Sequence, residues 1–266
     1  DTARALWFIY ITLTIFMTGL LKAIEPEMSL FACLTHTFTT LSTGGFSTFN
    51  SSAGEFSSSG IWLIAIFAVL AGINFGNYHK LLLGRYKECF NDSELKVYVV
   101  ILLAATTFVF FSINGMSYET TTGNVANNEL WDYLSDAFFQ VASIQTSAGF
   151  ASVNFEQWNE FAKYVLVCLM FVGGCGGSTG GGIKVIRIYS FFKILIHQVE
   201  KSYRPKVIRS IQVGQFKIDP QQKLGILSYV GIILLTVAVS TGILLVSQDQ
   251  TTLVTAFTTA VSAVNN

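Results

Sequence analysis

The sequence predicts an all-α polytopic membrane protein in which one structural unit recurs: a span, a short helix that does not cross, a glycine loop and a second span. Three observations carry this expectation. The 266 residues are 52% hydrophobic and only 12% charged, against roughly 25% charged in a soluble domain. Long stretches of the chain hold no charge at all. Two glycine loops sit in matching contexts far apart in sequence. With a mean hydropathy of +0.54, the chain has too few charges to cover a water-facing surface, which excludes a soluble globular enzyme. It is also the reverse of a disordered composition. The formal charge is zero, 16 basic against 16 acidic residues, which argues against a nucleic-acid partner. Cys33, Cys89, Cys168 and Cys175 show no paired spacing and read as reduced thiols.

Crossing the hydrocarbon core takes about 20 apolar residues in a helix. Five charge-free intervals qualify: Arg4 to Lys22, Glu55 to Lys80, Lys96 to Glu119, Lys163 to Lys184 and Lys223 to Asp249. The segments between them sort by charge. Segments 25–60 and 115–160 hold nine carboxylates and no Lys or Arg, whereas 79–97 and 184–223 are basic. Basic loops stay cytoplasmic. Residues 1–4, 79–97 and 184–223 are therefore expected inside, and 25–60, 115–160 and the C-terminal end outside. Lys22 and Lys163, near outer helix ends, can reach the interface along their own stems.

Each acidic outer segment contains a moderately apolar stretch that cannot span, 28–50 and 136–155. Ser42-Thr43-Gly44-Gly45-Phe46 lies over Thr146-Ser147-Ala148-Gly149-Phe150, with Gly45 and Gly149 104 residues apart. Upstream of each is a helix-length run of Phe, Ala and Thr; downstream is a Ser/Thr-rich exit and another span. The stretch from Thr251, TLVTAFTTAVSAVNN, has the same texture. A hydrophobic stretch of ten to fifteen residues between spans fits a re-entrant helix. Non-helical backbone at membrane depth must be buried in protein or line a watery path. Carbonyl rings in such loops replace the water shell of a permeating alkali cation, and glycine permits the backbone angles that aim them. The plain alternative is a pair of ordinary turn glycines.

Residues Gly173, Gly174, Cys175, Gly176, Gly177, Ser178, Thr179, Gly180, Gly181 and Gly182 form a block with seven glycines. It lies between an apolar half-span, 161–172, and an amphipathic helix, 183–200. Each glycine costs about 1 kcal/mol in a helix interior, so the span is expected to break at mid-membrane and act as a gate. A phosphate-binding loop needs Lys followed by Ser or Thr, but Lys184 is followed by Val185, so that motif fails. A helix–helix packing patch of small residues is the bland alternative. Lys184 either sets an electrostatic barrier below the gate or anchors the inner interface; Arg187 is expected to anchor. His36, His79 and His197 lack ligand spacing for a metal site.

The loops STGGFST and QTSAGFAS, with the block GGCGGSTGGGIKVIRI at 173–188 and the opening TARALWFIYITLT, resemble the Trk/Ktr/HKT superfamily of potassium-translocating membrane subunits. The bacterial TrkH/TrkG type is the most similar. The resemblance implies four span–pore helix–filter loop–span units around one pore, of which this chain carries about two and a half. Residues 1–90 would be the second unit, 91–202 the third with its gate at 173–182, 203–222 a cytoplasmic basic linker, and 223–266 the start of the fourth. Asn265-Asn266 looks like the start of the sequence that follows the fourth pore helix. By this resemblance Gly45 and Gly149 match filter glycines, which favours potassium. The carbonyls of Thr43, Gly44, Ser147 and Ala148, within Ser42–Gly45 and Thr146–Gly149, would be its ligands. It further implies potassium as the permeant ion with no organic cofactor, no enzymatic activity, a homodimer, membrane lipids as neighbours and a nucleotide-binding regulatory subunit of TrkA type on the basic side. The site would be a bacterial inner membrane. The competing expectation is a secondary transporter coupling potassium to protons or sodium. Its spans should hold buried carboxylates, and none of the five intervals contains one.

Overall fold

The computed structural model describes residues 2–126, 129–204, 212–213, 216–248 and 250–265. Asp1, Asn127, Asn128, Asp249, Asn266 and residues 205–211 and 214–215 of the expected basic linker lie outside the described residues. Apart from a two-residue antiparallel ladder pairing Gln212 with Lys217 and Val213 with Phe216, and two isolated bridges in the outer loops, the described structure is helical.

Helix α1 (Thr2–Ile24) is apolar on every side, with Trp7, Phe8 and Ile15 outward and Met17 and Leu21 buried. Its threonines return their hydroxyls to the preceding turn, Thr12 to the Phe8 carbonyl and Thr14 to the Tyr10 carbonyl, both at 2.8 Å. This back-bonding satisfies both hydroxyls within the helix, whereas the buried Thr18 hydroxyl of the same helix has no partner among the described residues. The helix stops just ahead of Pro26, as the residue before proline is pushed out of helical geometry. Glu25 then accepts from the backbone and side chain of Ser57 at 2.8 and 2.6 Å, fixing the start of the next span.

Helices α2 (Leu30–Leu41), α7 (Leu130–Gln145) and α11 (Leu253–Asn265) are the short helices expected between spans. Ser29 caps α2 by accepting from the Ala32 amide. Helix α7 is the buried centre of the fold. Residues 139–145 are all buried, and the helix packs against α3 (Ser58–Ala71), α6 (Ser93–Ile113) and α8 (Glu160–Val172).

Among the described residues, three helices are long and apolar enough to cross a membrane: Leu6–Ile24 of α1, α6 and α10 (Pro220–Ser247). The interval 55–80, read from sequence as one uninterrupted span, is not straight. Helices α3 and α4 (Phe75–Leu82) meet at 89°. The break follows from local chemistry. Gly72 closes α3, and the Asn74 side chain accepts from the Gly76 amide at 2.8 Å, starting a new helix two residues on. The interval 163–184 is broken as expected. Its first half, α8, has 13 residues, about 20 Å at helical rise where roughly 30 Å is needed. After the glycine block comes α9 (Val185–Tyr203). Helix α5 (Tyr86–Phe90) is a short turn before α6. A second apolar cluster joins Ile183 to Val230, Ile233 and Val237 of α10 and to Ala260 and Val261 of α11.

Candidate ion pathway

The two glycine loops share one backbone course, residue for residue. Each follows a short helix closed by a right-handed C-cap, Ser42 at φ −81° and ψ −7°, Thr146 at φ −82° and ψ −5°. The next residue is left-handed although not glycine, Thr43 at φ 57° and Ser147 at φ 59°. Two residues further on, Gly45 and Gly149 are left-handed at 63° and 80°. A non-glycine residue is rarely held there, so the repetition of the same unfavourable angle in both loops makes it a property of the unit.

The loop amides are occupied by their own helices. Thr43 donates to the Thr40 carbonyl at 3.1 Å and Gly44 to the Thr39 carbonyl at 2.8 Å; Ser147 donates to Ile144 at 3.0 Å and Gly149 to Ser143 at 3.2 Å. The carbonyl oxygens of Thr43, Gly44, Ser147 and Ala148 accept no hydrogen bond among the described residues. Thr43 and Ala148 are buried, where a carbonyl normally has a partner. The C-termini of α2 and α7 point into the same loops with no basic residue in their last turns, and a helix C-terminus carries about half a negative charge. The loops also touch. A Cβ on Gly45 would lie 1.7 Å from the Ala148 carbonyl oxygen, whereas around Gly149 nothing lies within 4 Å. Past the loops, the two acidic segments join, with Ala53 donating to the Ala151 carbonyl at 3.0 Å.

Residues 173–182 form a non-helical segment packed beneath both loops. Thr43 donates its hydroxyl to the Thr179 carbonyl at 3.1 Å, and the Ser147 hydroxyl accepts from the Gly181 amide. The Gly182 amide donates to the Asn265 carbonyl at the end of α11 at 2.5 Å. Lys184, the residue left open between barrier and anchor, curls back to the Gly180 carbonyl. Arg187 lies over the Tyr229 ring at 4.2 Å, facing α10 as an anchor would. Gly173 and Gly182 meet face to face. A Cβ on Gly173 would fall 2.1 Å from the Gly181 carbonyl oxygen, and one on Gly182 would fall 2.6 Å from the Gly173 Cα.

The bend between α3 and α4 is the dock for this segment. The Cys175 amide donates to the Gly72 carbonyl at 2.8 Å, and the Phe75 amide donates to the Gly177 carbonyl at 3.1 Å. Each broken helix thereby satisfies backbone groups that the other has freed, the condition for irregular backbone at membrane depth.

The TrkH cation transport protein model matches residues 1–266. This chain belongs to the TrkH family of cation transport proteins. The Trk system potassium uptake protein TrkH of Salmonella typhimurium is 36% identical over 219 residues, covering 80% of this chain and 43% of that protein. Its counterpart in Halomonas elongata is 33% identical over 272 residues, covering 100% of this chain and 53% of that protein. The crystal structure of the potassium transporter TrkH from Vibrio parahaemolyticus superposes with a TM-score of 0.85 at 27% identity, over 98% of this chain and 54% of that one. The chain thus spans about half the length of the TrkH relatives it matches. The family is one of membrane transporters, and the mostly helical chain with its apolar helices agrees with an all-α polytopic member.

Three contributors to the TrkH-family site escaped the sequence reading. Gly72 and Asn74 lie inside what looked like a continuous span, although Asn ahead of the amphipathic run FGNYHKLL is a helix-start signal. Glu94 lies in a basic, apparently solvated segment, yet is only 7% exposed and bonds the glycine block. Nothing near it in sequence announces that contact.

Proposed function

We propose that the protein containing this chain takes up potassium across a bacterial inner membrane, conducting the ion through stacked backbone carbonyls above a movable glycine loop. One observation carries this reading. Two loops repeat a right-handed helix cap, a left-handed residue and, two positions on, a left-handed glycine at the negative ends of two short helices, and the carbonyls of Thr43, Gly44, Ser147 and Ala148 accept no hydrogen bond among the described residues. Such oxygens replace the hydration shell of an alkali cation. Residues 1–90 and 91–202 are then two pore units, and 223–266 opens another with α11 as its pore helix. Residues 173–182 and Lys184 form the gate, because the block sits directly under both loops and is fastened by hydrogen bonds rather than by helical continuity. The acidic segments face outward, where nine carboxylates concentrate cations at the mouth. The basic segments face the cytoplasm, toward anionic lipids and a nucleotide-binding regulatory subunit of TrkA type. A homodimer is the expected assembly.

The deciding experiment is potassium and sodium uptake by the intact protein carrying Gly45→Ser or Gly149→Ser. A fall in the potassium-to-sodium ratio is expected; an unchanged ratio in both variants would refute the filter.

A further inference from the structure

We propose that Glu94 is the latch of the glycine loop: its carboxylate, presented from the start of α6, holds the loop and the first turn of α9 in the packed position. This rests on the reading of 173–182 as the gate. Glu94 Oε1 accepts from the Gly176 amide at 2.5 Å and from the Ile186 amide at 3.2 Å. These two amides lie on either side of residues 177–185, so one oxygen clamps both ends of the moving part.

Local chemistry explains why the clamp comes from another helix. Helix α9 begins directly after the glycines, and its N-cap, Lys184, sits at φ 81° and makes no side-chain capping bond. The first amides of a helix need an acceptor, and a carboxylate there also meets the positive end of the helix dipole. Glu94 supplies that cap in trans. It is held rigidly for the purpose. The Asp92 side chain caps α6 by accepting from the Glu94 amide at 2.8 Å, and Asp92 in turn lies 3.6 Å from the Lys80 ammonium of α4. The latch therefore ties α4, α6 and α9 to one loop. Burial matters as well. At 7% exposure the oxygen has little water to turn to, so the loop amides are its partners in the packed state. Moving the loop means leaving a buried carboxylate and two amides unpaired, or hydrating all three.

The Cys175 thiol, within the loop and 0% exposed, reports the movement, and Cys33, 0% exposed on α2, reports general unfolding. The experiment is maleimide labelling of the intact protein in membranes, read for each cysteine by peptide mass spectrometry, alongside rubidium flux. Glu94→Leu, which keeps the bulk and removes the acceptor, should speed Cys175 labelling about tenfold, the size expected for losing one helix cap, and leave Cys33 unchanged. Glu94→Gln keeps an acceptor oxygen but loses its charge, so its Cys175 labelling rate should fall between those of the parent and Glu94→Leu. Flux should rise in Glu94→Leu. The latch is refuted if Cys175 labelling does not change, or if Cys33 labelling rises in step with it. Faster Cys175 labelling with unaltered flux would uphold the latch and overturn the assignment of the loop as gate.

Discussion

The Thr43 hydroxyl donates to the Thr179 carbonyl oxygen at 3.1 Å, across 136 residues of sequence. Its equivalent in the second unit, Ser147, accepts from the Gly181 amide. The two side chains occupy the same position of the repeated loop and share the same left-handed angle. That angle places their hydroxyls against residues 179 and 181, so the two glycine loops and the block 173–182 are hydrogen-bonded to one another. A buried hydrogen bond contributes about 0.5–1.5 kcal/mol, and a donor stranded by its loss costs more. Thr43→Val and Ser147→Ala should each raise basal cation leak, with Ser147→Ala the more severe because it strands the Gly181 amide. Thr43→Ser, which keeps the hydroxyl, should behave as the parent. Rubidium efflux from loaded vesicles measures all three.

Gly45 and Gly149 occupy equivalent positions but are not equally constrained. Both are left-handed, at φ 63° and 80°, which costs a side chain about 1–2 kcal/mol. Only at Gly45 would a Cβ also strike backbone, the Ala148 carbonyl oxygen at 1.7 Å. Gly45→Ala must therefore push apart the two loops, and it displaces one of the proposed ligand oxygens directly. Gly149→Ala meets open space. Potassium-over-sodium selectivity should fall further in Gly45→Ala than in Gly149→Ala, and equal losses would contradict the steric argument. Competitive uptake of the two ions gives the comparison.

The special backbone of the two glycine loops and of the glycine block was legible in sequence because glycine marks positions where backbone must turn left-handed or approach closely, and both demands are met at Gly45 and Gly173. The short helices were legible because their apolar runs are too short to span. What escaped was decided by tertiary contact. The 89° bend after Gly72 rests on one Asn cap and on backbone partners supplied by residues 175 and 177, about a hundred residues later. The strain at Thr43 and Ser147 carries no glycine to announce it. Glu94 reads as a solvated charge because its neighbours Asp92 and Lys96 are charged, and its burial depends on α9.

Asp136 gives a pH dependence in the first half of α7. It accepts from the Tyr118 hydroxyl, in the segment between α6 and α7, at 2.8 Å. Burial pushes its carboxyl up to about 6, with the Tyr118 hydrogen bond opposing and the nearby Asp132 charge adding to the rise. The sign follows from linkage. A carboxyl whose folded value exceeds its ordinary 3.8 favours the fold while neutral, and that stability is lost as pH rises through about 6. The parent protein should therefore lose thermal stability between pH 4 and pH 7 relative to Asp136→Asn, which holds the neutral form throughout. Melting of both proteins in detergent across that range tests it; parallel curves would rule the effect out.

Substitutions within the glycine block should divide by geometry rather than by position in the run. At Gly173 and Gly182 the angles are left-handed, 71° and 78°, and each Cβ would collide with the backbone of the other strand of the loop, at 2.1 and 2.6 Å. Alanine at either site combines left-handed strain of about 1–2 kcal/mol with overpacking of about 1–3 kcal/mol, and neither obstacle is a flexible side chain that can swing away. Gly176 carries no left-handed angle, and its nearest neighbours would be the Ile186 Cγ2 at 3.3 Å, a side-chain end able to yield by a few tenths of an ångström, and Glu94 Oε1 at 3.4 Å, an ordinary contact distance that requires no movement. Gly173→Ala and Gly182→Ala should therefore open the loop and raise leak conductance, while Gly176→Ala leaves both leak and melting temperature near the parent's. If all three alanines gave the same small effect, the block would act only as close helix packing, and the gate would have to be sought elsewhere in the pathway.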